Sequence, residues 1–425
     1  MIMIINFLFK DHAAHIEIGG DFQEFLSDIM NLLPSFLDKD GYRQVTTFSH
    51  VSEKLMENID KIVEKYKKRV IEVYKIRSLF KQYNQGEPFF IIPGAISKEE
   101  LENLNSYLVT VNDPDPEESR KKLEELKSQI SRSYRFIQQS GLVRVSIGEP
   151  DKSKRVCRYC HKSTPEVTFK QIAHTISEAL GNKTIITNTE CDECNNRYGT
   201  GIEMDCANYH NFIRRFYNIR GKTPLKDGGT NFKIEHTADG NIKIGITLTD
   251  AEISEFERSK KNTGNFCFPL HVNQKFRPVN VYKALCKYVL GILDDGDMTP
   301  FQSTIDWMDG TLQILPLPKV AVLFPTNFHL NNPRISILIR TSEQEELPYS
   351  IGIVEFTDIA YCFIVPIQDD RVNYSDEELW NRIANFLPIY KPQIGWRLKD
   401  FSSDIQQDEI KYNLNFVQRS KQEDK

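Results

Sequence analysis

Two Cys-x-x-Cys pairs, Cys157 with Cys160 and Cys191 with Cys194, constrain this 425-residue chain more than any other feature. Four thiolates presented from two tight turns can close one tetrahedral zinc site and so tie residues 157 and 194 together. The stretch between the pairs, His161 to Glu190, is longer than a minimal zinc ribbon needs. The clip therefore encloses something besides metal holding, and the lone His174 is the candidate. Of eight cysteines, the other four, Cys206, Cys267, Cys286 and Cys362, stand singly and read as small buried apolar residues. A chain of this length builds its cores without a disulfide framework, so a reducing, cytoplasmic setting is expected.

Charge is unevenly spread. The net charge is −5, yet residues 151–226 hold thirteen Lys/Arg against eight Asp/Glu. Basic side chains thus gather around the cysteine motif, where an anionic polymer would dock. The apolar start, Met1 to Phe9, is short and lacks a basic leader, so it reads as a buried strand. No stretch reaches membrane-spanning length, and no membrane partner is expected.

The pattern predicts an α+β fold in three parts. Residues 1–150 form a mainly helical N-terminal domain with a sensor, partner-binding or regulatory role. Leu55, Ile59, Ile62, Tyr66, Val70, Val73, Ile76 and Phe80 recur at helical steps and predict one long helix. Leu123, Leu126, Ile130, Tyr134 and Ile137 predict a second, with a short strand at 89–93 between them. Residues 151–228 hold the cysteine motif and its basic flank. Residues 229–425 form a strand-rich α+β C-terminal domain, with a hairpin turning at Asp239-Gly240. Phe276 to Leu293 predicts a buried helix with Lys283 and Lys287 facing outward. Strands are expected at 320–324, 335–340 and 351–366, and a helix at 380–387. The polar tail after about residue 404 is expected to be loosely ordered.

Three runs carry the chemistry: Cys157-Arg-Tyr-Cys160, then Ile172-Ala-His-Thr-Ile-Ser-Glu-Ala-Leu-Gly-Asn182, then Glu190-Cys-Asp-Glu-Cys-Asn-Asn196. In residue type and order they resemble the HNH endonuclease family, in its subgroup with a four-cysteine zinc clip around a ββα-metal core. The close resemblance spans about residues 155–205. It implies structural zinc on Cys157, Cys160, Cys191 and Cys194, with His174 as the general base that activates water. It also implies a catalytic Mg(2+) or Mn(2+) held partly through Asn195. Many family members place a carboxylate or a second histidine before the catalytic histidine, and here that position is Ala173. Glu178, Asn196 and Glu203 are the candidates for completing the ion's shell.

Physical chemistry fits these roles. Imidazole exchanges protons near neutral pH, and hydrolysis of a phosphodiester needs a cation to neutralise charge on the phosphate. Arg214, Arg215, Arg220 and Lys222 follow the motif among Phe212, Phe216 and Tyr217, a mixture suited to phosphate contacts. His161 reads as an exposed loop residue beside a closed zinc site, and His210 as a surface or packing residue. Gly181 and Gly199 read as turn or close-approach positions.

The resulting expectation is a metal-dependent endonuclease acting on DNA, with RNA not excluded, and with a bacterial defence role against phage as an extension. A homodimer and a protein partner for the N-terminal domain are further expectations. The alternative is a zinc-stabilised nucleic-acid-binding protein without hydrolytic activity. Nicking of supercoiled plasmid, as against a gel shift alone, separates the two.

Overall fold

The computed structural model describes residues 2–416 except 11, 20–21, 38, 40–41, 71, 142–143, 220, 222–228, 238–241, 264–265, 327–329, 344–345, 376–377 and 388–394. It is a mixed α+β chain in two compact units, residues 1–129 and 130–425. Among the described residues no helix is long and apolar enough to cross a membrane.

The first unit is built on a sheet as much as on helices. Its elements run β1 (Ile2–Phe9), β2 (His12–Gly19), α1 (Gln23–Met30), β3 (Ser35–Leu37), β4 (Arg43–Val45), β5 (Phe48–His50), α2 (Glu53–Tyr66), α3 (Val73–Phe80), β6 (Pro88–Pro93) and α4 (Lys98–Thr110). The sheet order is β2-β1-β6-β5, antiparallel throughout. Strand alternation splits its apolar residues between two faces. Ile5, Phe7 and Phe9 pack with Phe25, Ile59, Val63 and Phe80 from α1, α2 and α3. Leu8 and Phe90 turn the other way, onto Leu108 of α4. The expected single helix over 55–80 is two helices, because the chain leaves helical geometry after Tyr66 and re-enters it at Val73. Both halves keep the predicted stripe, which is why periodicity alone did not reveal the break.

Helix α5 (Pro116–Ser133) follows, and the helix expected to continue through Ile137 stops there. Tyr134 and Ile137 lie instead in β7 (Tyr134–Ser140), paired with a strand some two hundred residues later. A boundary at residue 150 therefore falls inside the second unit. Long-range pairing outweighs local helical spacing here.

The second unit continues with β8 (Val145–Ile147), β9 (Ala173–His174), β10 (Ile185–Thr187), α6 (Asp192–Thr200), α7 (Ile202–Tyr209), α8 (Asn211–Phe216), β11 (Phe232–His236), β12 (Ile242–Ile246), α9 (Asp250–Thr263), β13 (Phe266–Phe276) and α10 (Pro278–Leu290). It closes with α11 (Gln302–Asp309), β14 (Val320–Leu323), β15 (Leu330–Arg340), β16 (Ser350–Thr357), β17 (Ile359–Ile364), α12 (Leu379–Phe386), β18 (Arg397–Lys399) and β19 (Gln407–Phe416). A six-stranded sheet, β18-β14-β17-β16-β15-β7, is its largest layer. One face carries α12 through Leu338, Ile351, Cys362, Ile364 and Ile383. The other carries α10, whose second side packs on α7. Helix α10 is thus sandwiched, with Val281, Tyr282, Leu285, Tyr288 and Val289 fully buried.

Two expectations about this half are corrected. Lys287 does not face outward; it is 1% exposed, because α10 is covered on both sides. Residues 407–416 of the tail are not loose, since β19 pairs antiparallel with β13, placing Ile410 opposite Val272 and Tyr412 opposite Leu270; residues 417–425 lie outside the described residues. Glu409 and Lys411 alternate with Ile410 and Tyr412 and mask the strand signal. The strands expected at 229 onward form the β11–β12 hairpin, while its Asp239-Gly240 turn lies outside the described residues. Cys206, Cys286 and Cys362 are buried as expected; the Cys267 side chain lies outside the described residues.

Candidate metal centre and cleft

Residues 157–209 fold as a short hairpin laid against a helix. Strand β9 pairs antiparallel with β10, placing His174 opposite Ile186, and α6 follows directly. Between the strands, a turn of 3-10 helix at Glu178–Leu180 starts under the Ser177 hydroxyl, which accepts from the Ala179 N–H, and ends at Gly181 with φ +97°. That left-handed backbone favours glycine. Asn182 then locks the loop from within: its Nδ2 donates to Ile176 O and Ile185 O, and its Oδ1 accepts from the Thr184 and Ile185 N–H groups. A wholly buried side chain with every hydrogen bond made fixes the hairpin in one conformation.

The four cysteines of the two pairs converge. Their sulfur atoms all lie within 4.8 Å of one another, and Cys160 Sγ is 3.8 Å from Cys191 Sγ. A tetrahedron with zinc–sulfur bonds of about 2.3 Å has an edge of about 3.8 Å, so the donor set fits zinc. Hydrogen bonds from Cys194 and from the backbone N–H groups of Cys160, Cys191 and Tyr159 hold the Cys157 thiol down at about 4. Burial pushes Cys191 up to about 12. Such a cluster is stable with its thiols ionised only when a cation compensates them. Among the described residues no other group of three or more His, Cys, Asp or Glu side chains converges this way. His161, exposed beside the clip, meets Gln302 Oε1 at 2.9 Å through its Nε2.

The clip is fastened on both sides. Asp192, at the start of α6, accepts from the Thr168 hydroxyl and from the Lys170 and Gln171 N–H groups. Burial opposes its ionisation, but those bonds still hold its pKa below the ordinary value. The helix start is thereby tied to the segment that leads into β9. On the other side Arg158, with its side chain fully buried, donates to Leu290 O, Gly291 O and Leu293 O and pairs with Asp295. It satisfies carbonyls that the end of α10 leaves open. Gly291 lets that end approach β9 closely, since a Cβ there would stand 2.6 Å from Thr175 Cγ2.

A cleft of about 630 Å³ opens over the hairpin and α6, and His174, Glu178, Asn195, Asn196, Glu203 and Arg214 all line it. His174 is held by Glu178, with Nε2 to Oε1 at 2.8 Å. Asn195 stands in the first turn of α6, its Nδ2 donating to Gln171 Oε1 at 3.3 Å. Glu203 reaches the cleft because α6 breaks at Gly201, whose φ of −106° and ψ of −102° let α7 set off in a new direction. Asn196 is exposed and Gly199 forms part of the wall.

Arg214 and Arg215 are each under a tenth exposed, so neither is a surface phosphate contact of the ordinary kind. Arg214 Nε donates to Ala179 O at 2.8 Å, and its guanidinium borders the cleft with no carboxylate paired to it among the described residues. Burial lowers its pKa, yet arginine keeps its charge at any physiological pH. Arg215 packs over the Phe232 ring. Arg220 and Lys222 lie outside the described residues. His210 is a packing residue: it is 1% exposed, with Nδ1 2.7 Å from Cys206 O and Nε2 2.5 Å from Tyr361 Oη.

Beneath the cleft lies a buried triad. Lys287 Nζ donates to Glu203 Oε1 at 2.8 Å and lies 3.2 Å from Glu190 Oε2. Burial would lower the Lys287 pKa, but the two carboxylates raise it above the ordinary value. Burial pushes Glu190 up to about 7. Arg158 was not singled out from sequence, and Lys287 was read only as an outward-facing helix residue. A lone lysine inside Ala284-Leu-Cys-Lys-Tyr-Val-Leu290 is the one signal that could have marked it as buried.

Residues 157–208 match the family described as HNH endonuclease. No curated protein and no solved structure matches the chain.

Proposed function

We propose that the HNH endonuclease segment at residues 157–208 makes this chain a metal-dependent nuclease that hydrolyses phosphodiester bonds in DNA. The observation that carries the reading is the cleft itself: His174, Asn195 and Arg214, far apart in sequence, line one cavity beside the four-cysteine clip. In this reading zinc on Cys157, Cys160, Cys191 and Cys194 has a structural role and holds the hairpin against α6.

His174 takes the proton from an attacking water. The Glu178 carboxylate, 2.8 Å from Nε2, fixes the ring and stabilises the imidazolium that forms. Glu178 then acts as a positioning residue rather than an ion ligand. The water oxygen bonds to phosphorus as the bond to the leaving oxygen breaks, and that oxygen takes up a proton from solvent. Arg214, nearly buried and without a carboxylate partner among the described residues, meets the non-bridging oxygens of the phosphate; desolvation makes such a contact stronger than one at an open surface. Asn195 offers its side-chain oxygen to a divalent ion such as magnesium or manganese, which when bound neutralises charge on the phosphate and leaving oxygen. Few protein ligands are needed, since magnesium keeps several waters and takes phosphate oxygens as ligands. The N-terminal unit serves recognition or regulation, and defence against foreign DNA is the setting that suits such an enzyme.

The test is conversion of supercoiled plasmid to nicked and linear forms by the zinc-loaded chain, with magnesium or manganese and with chelator. Cleavage that requires the added ion supports the reading. A gel shift with no nicking under either ion contradicts it and leaves a binding protein. A parallel assay on single- and double-stranded RNA sets the substrate class.

A further inference from the structure

Ala173 leaves the cleft without the ligand that would precede the general base, and the buried triad shows what stands in for it. Glu203 is 7% exposed, and only one of its oxygens, Oε1, is engaged by Lys287. The other, Oε2, accepts no hydrogen bond among the described residues and lies 3.9 Å from where a Gly199 Cβ would stand, at the cleft wall. That oxygen stays open to the cleft, where a cation can meet it, and among the described residues no donor does so.

Lys287 is well placed to impose this arrangement. It enters from α10, behind the cleft, and is 1% exposed, so it cannot itself reach a substrate. Its ammonium is shared between Glu203 and Glu190, which holds the Glu203 carboxylate in place at the cleft wall. The carboxylate is held from below by the Lys287 hydrogen bond at 2.8 Å.

We infer that Glu203, oriented by Lys287, supplies the carboxylate ligand for the divalent ion in the cleft, in place of the side chain that Ala173 lacks. Lys287 is a positioning residue that never touches the ion. The inference rests on the nuclease reading of the cleft, and it makes the ion's protein ligands Asn195 and Glu203, from successive helices α6 and α7, with water and phosphate completing the shell.

The test measures ion binding without DNA, so that it does not depend on cleavage. The full zinc-loaded chain is titrated with Mn(2+), and free Mn(2+) is followed by electron paramagnetic resonance. Wild type should bind one Mn(2+). Glu203→Gln keeps an oxygen for Lys287 but removes the charge, and should bind at least tenfold more weakly with zinc content and melting temperature little changed. Lys287→Met removes the ammonium that orients Glu203 and should also bind more weakly, and Lys287→Arg should recover part of the loss. Wild-type affinity in Glu203→Gln overturns the inference while leaving the nuclease reading standing. Weak binding in Glu203→Gln with wild-type affinity in Lys287→Met overturns the positioning role. No Mn(2+) binding by wild type overturns the inference, while the nuclease reading is decided by plasmid cleavage.

Discussion

His174 Nε2 and Glu178 Oε1 stand 2.8 Å apart, one on the two-residue strand β9 and the other on the 3-10 turn that follows it. The spacing of four residues is bridged by that turn, which begins under Ser177 and closes at Gly181. The imidazole therefore enters the cleft with one nitrogen already committed. Replacing Glu178 by Ala should lower plasmid cleavage about 10- to 100-fold, the usual cost of losing a partner that orients a histidine. Zinc content should be unchanged. A variant as active as wild type would show that the pair is incidental.

Arg214 should behave differently from a surface phosphate contact. Arg214→Lys cannot both reach Ala179 O and present a planar fork to the phosphate, so it should lose most of what Arg214→Ala loses. Filter binding of a short duplex in chelator reads the effect, which should be a loss of about 1.5–3 kcal/mol for a charge-assisted bond. Full rescue by lysine would assign Arg214 to general charge alone.

The zinc clip should be structural in a measurable sense. Cys194→Ser should remove the bound zinc and expose amides at 157–162 and 190–196 to hydrogen exchange, leaving the β1–β6 sheet as protected as before. Metal binding here is folding free energy for the hairpin and α6. Retained protection in a zinc-free chain would contradict the assignment.

His210 gives the second unit an acid sensitivity. Burial lowers its pKa to about 3 in the folded chain, against about 6.5 unfolded. The folded state favours neutral imidazole, so this contribution is fully present above pH 6.5 and is lost as pH falls towards 3. Stability should drop by up to about 1.4 kcal/mol per pH unit across that window. All three tryptophans, Trp307, Trp380 and Trp396, lie in the second unit, so their fluorescence reports its urea unfolding. His210→Gln should start less stable at neutral pH and show a shallower slope. An equal slope in both would move the acid sensitivity to other groups.

The site was more legible in the sequence than the fold around it. Spacing and residue type, which are sequence properties, singled out Cys157, Cys160, Cys191 and Cys194, whose sulfur atoms converge, and His174 and Asn195, which line one cleft. What failed depended on distant partners. Tyr134 and Ile137 keep helical spacing but pair as a strand with β15, and β19 hides its apolar alternation among charges. Lys287 looked like an outward face because nothing in α10 announces that α7 covers it. The arginines after the motif read as phosphate contacts, whereas burial of α8 leaves Arg214 in the cleft wall and packs Arg215 against Phe232.

The central claim is that chemistry resides on His174 while the cysteines only hold the frame. The most direct measurement is plasmid cleavage by His174→Ala beside wild type in manganese, with zinc content and hydrogen-exchange protection recorded on the same samples. Cleavage should fall at least a hundredfold, with one zinc retained and protection unchanged; removal of a general base alone accounts for about 10²–10⁴. Wild-type cleavage by that variant, with zinc in place, would contradict it.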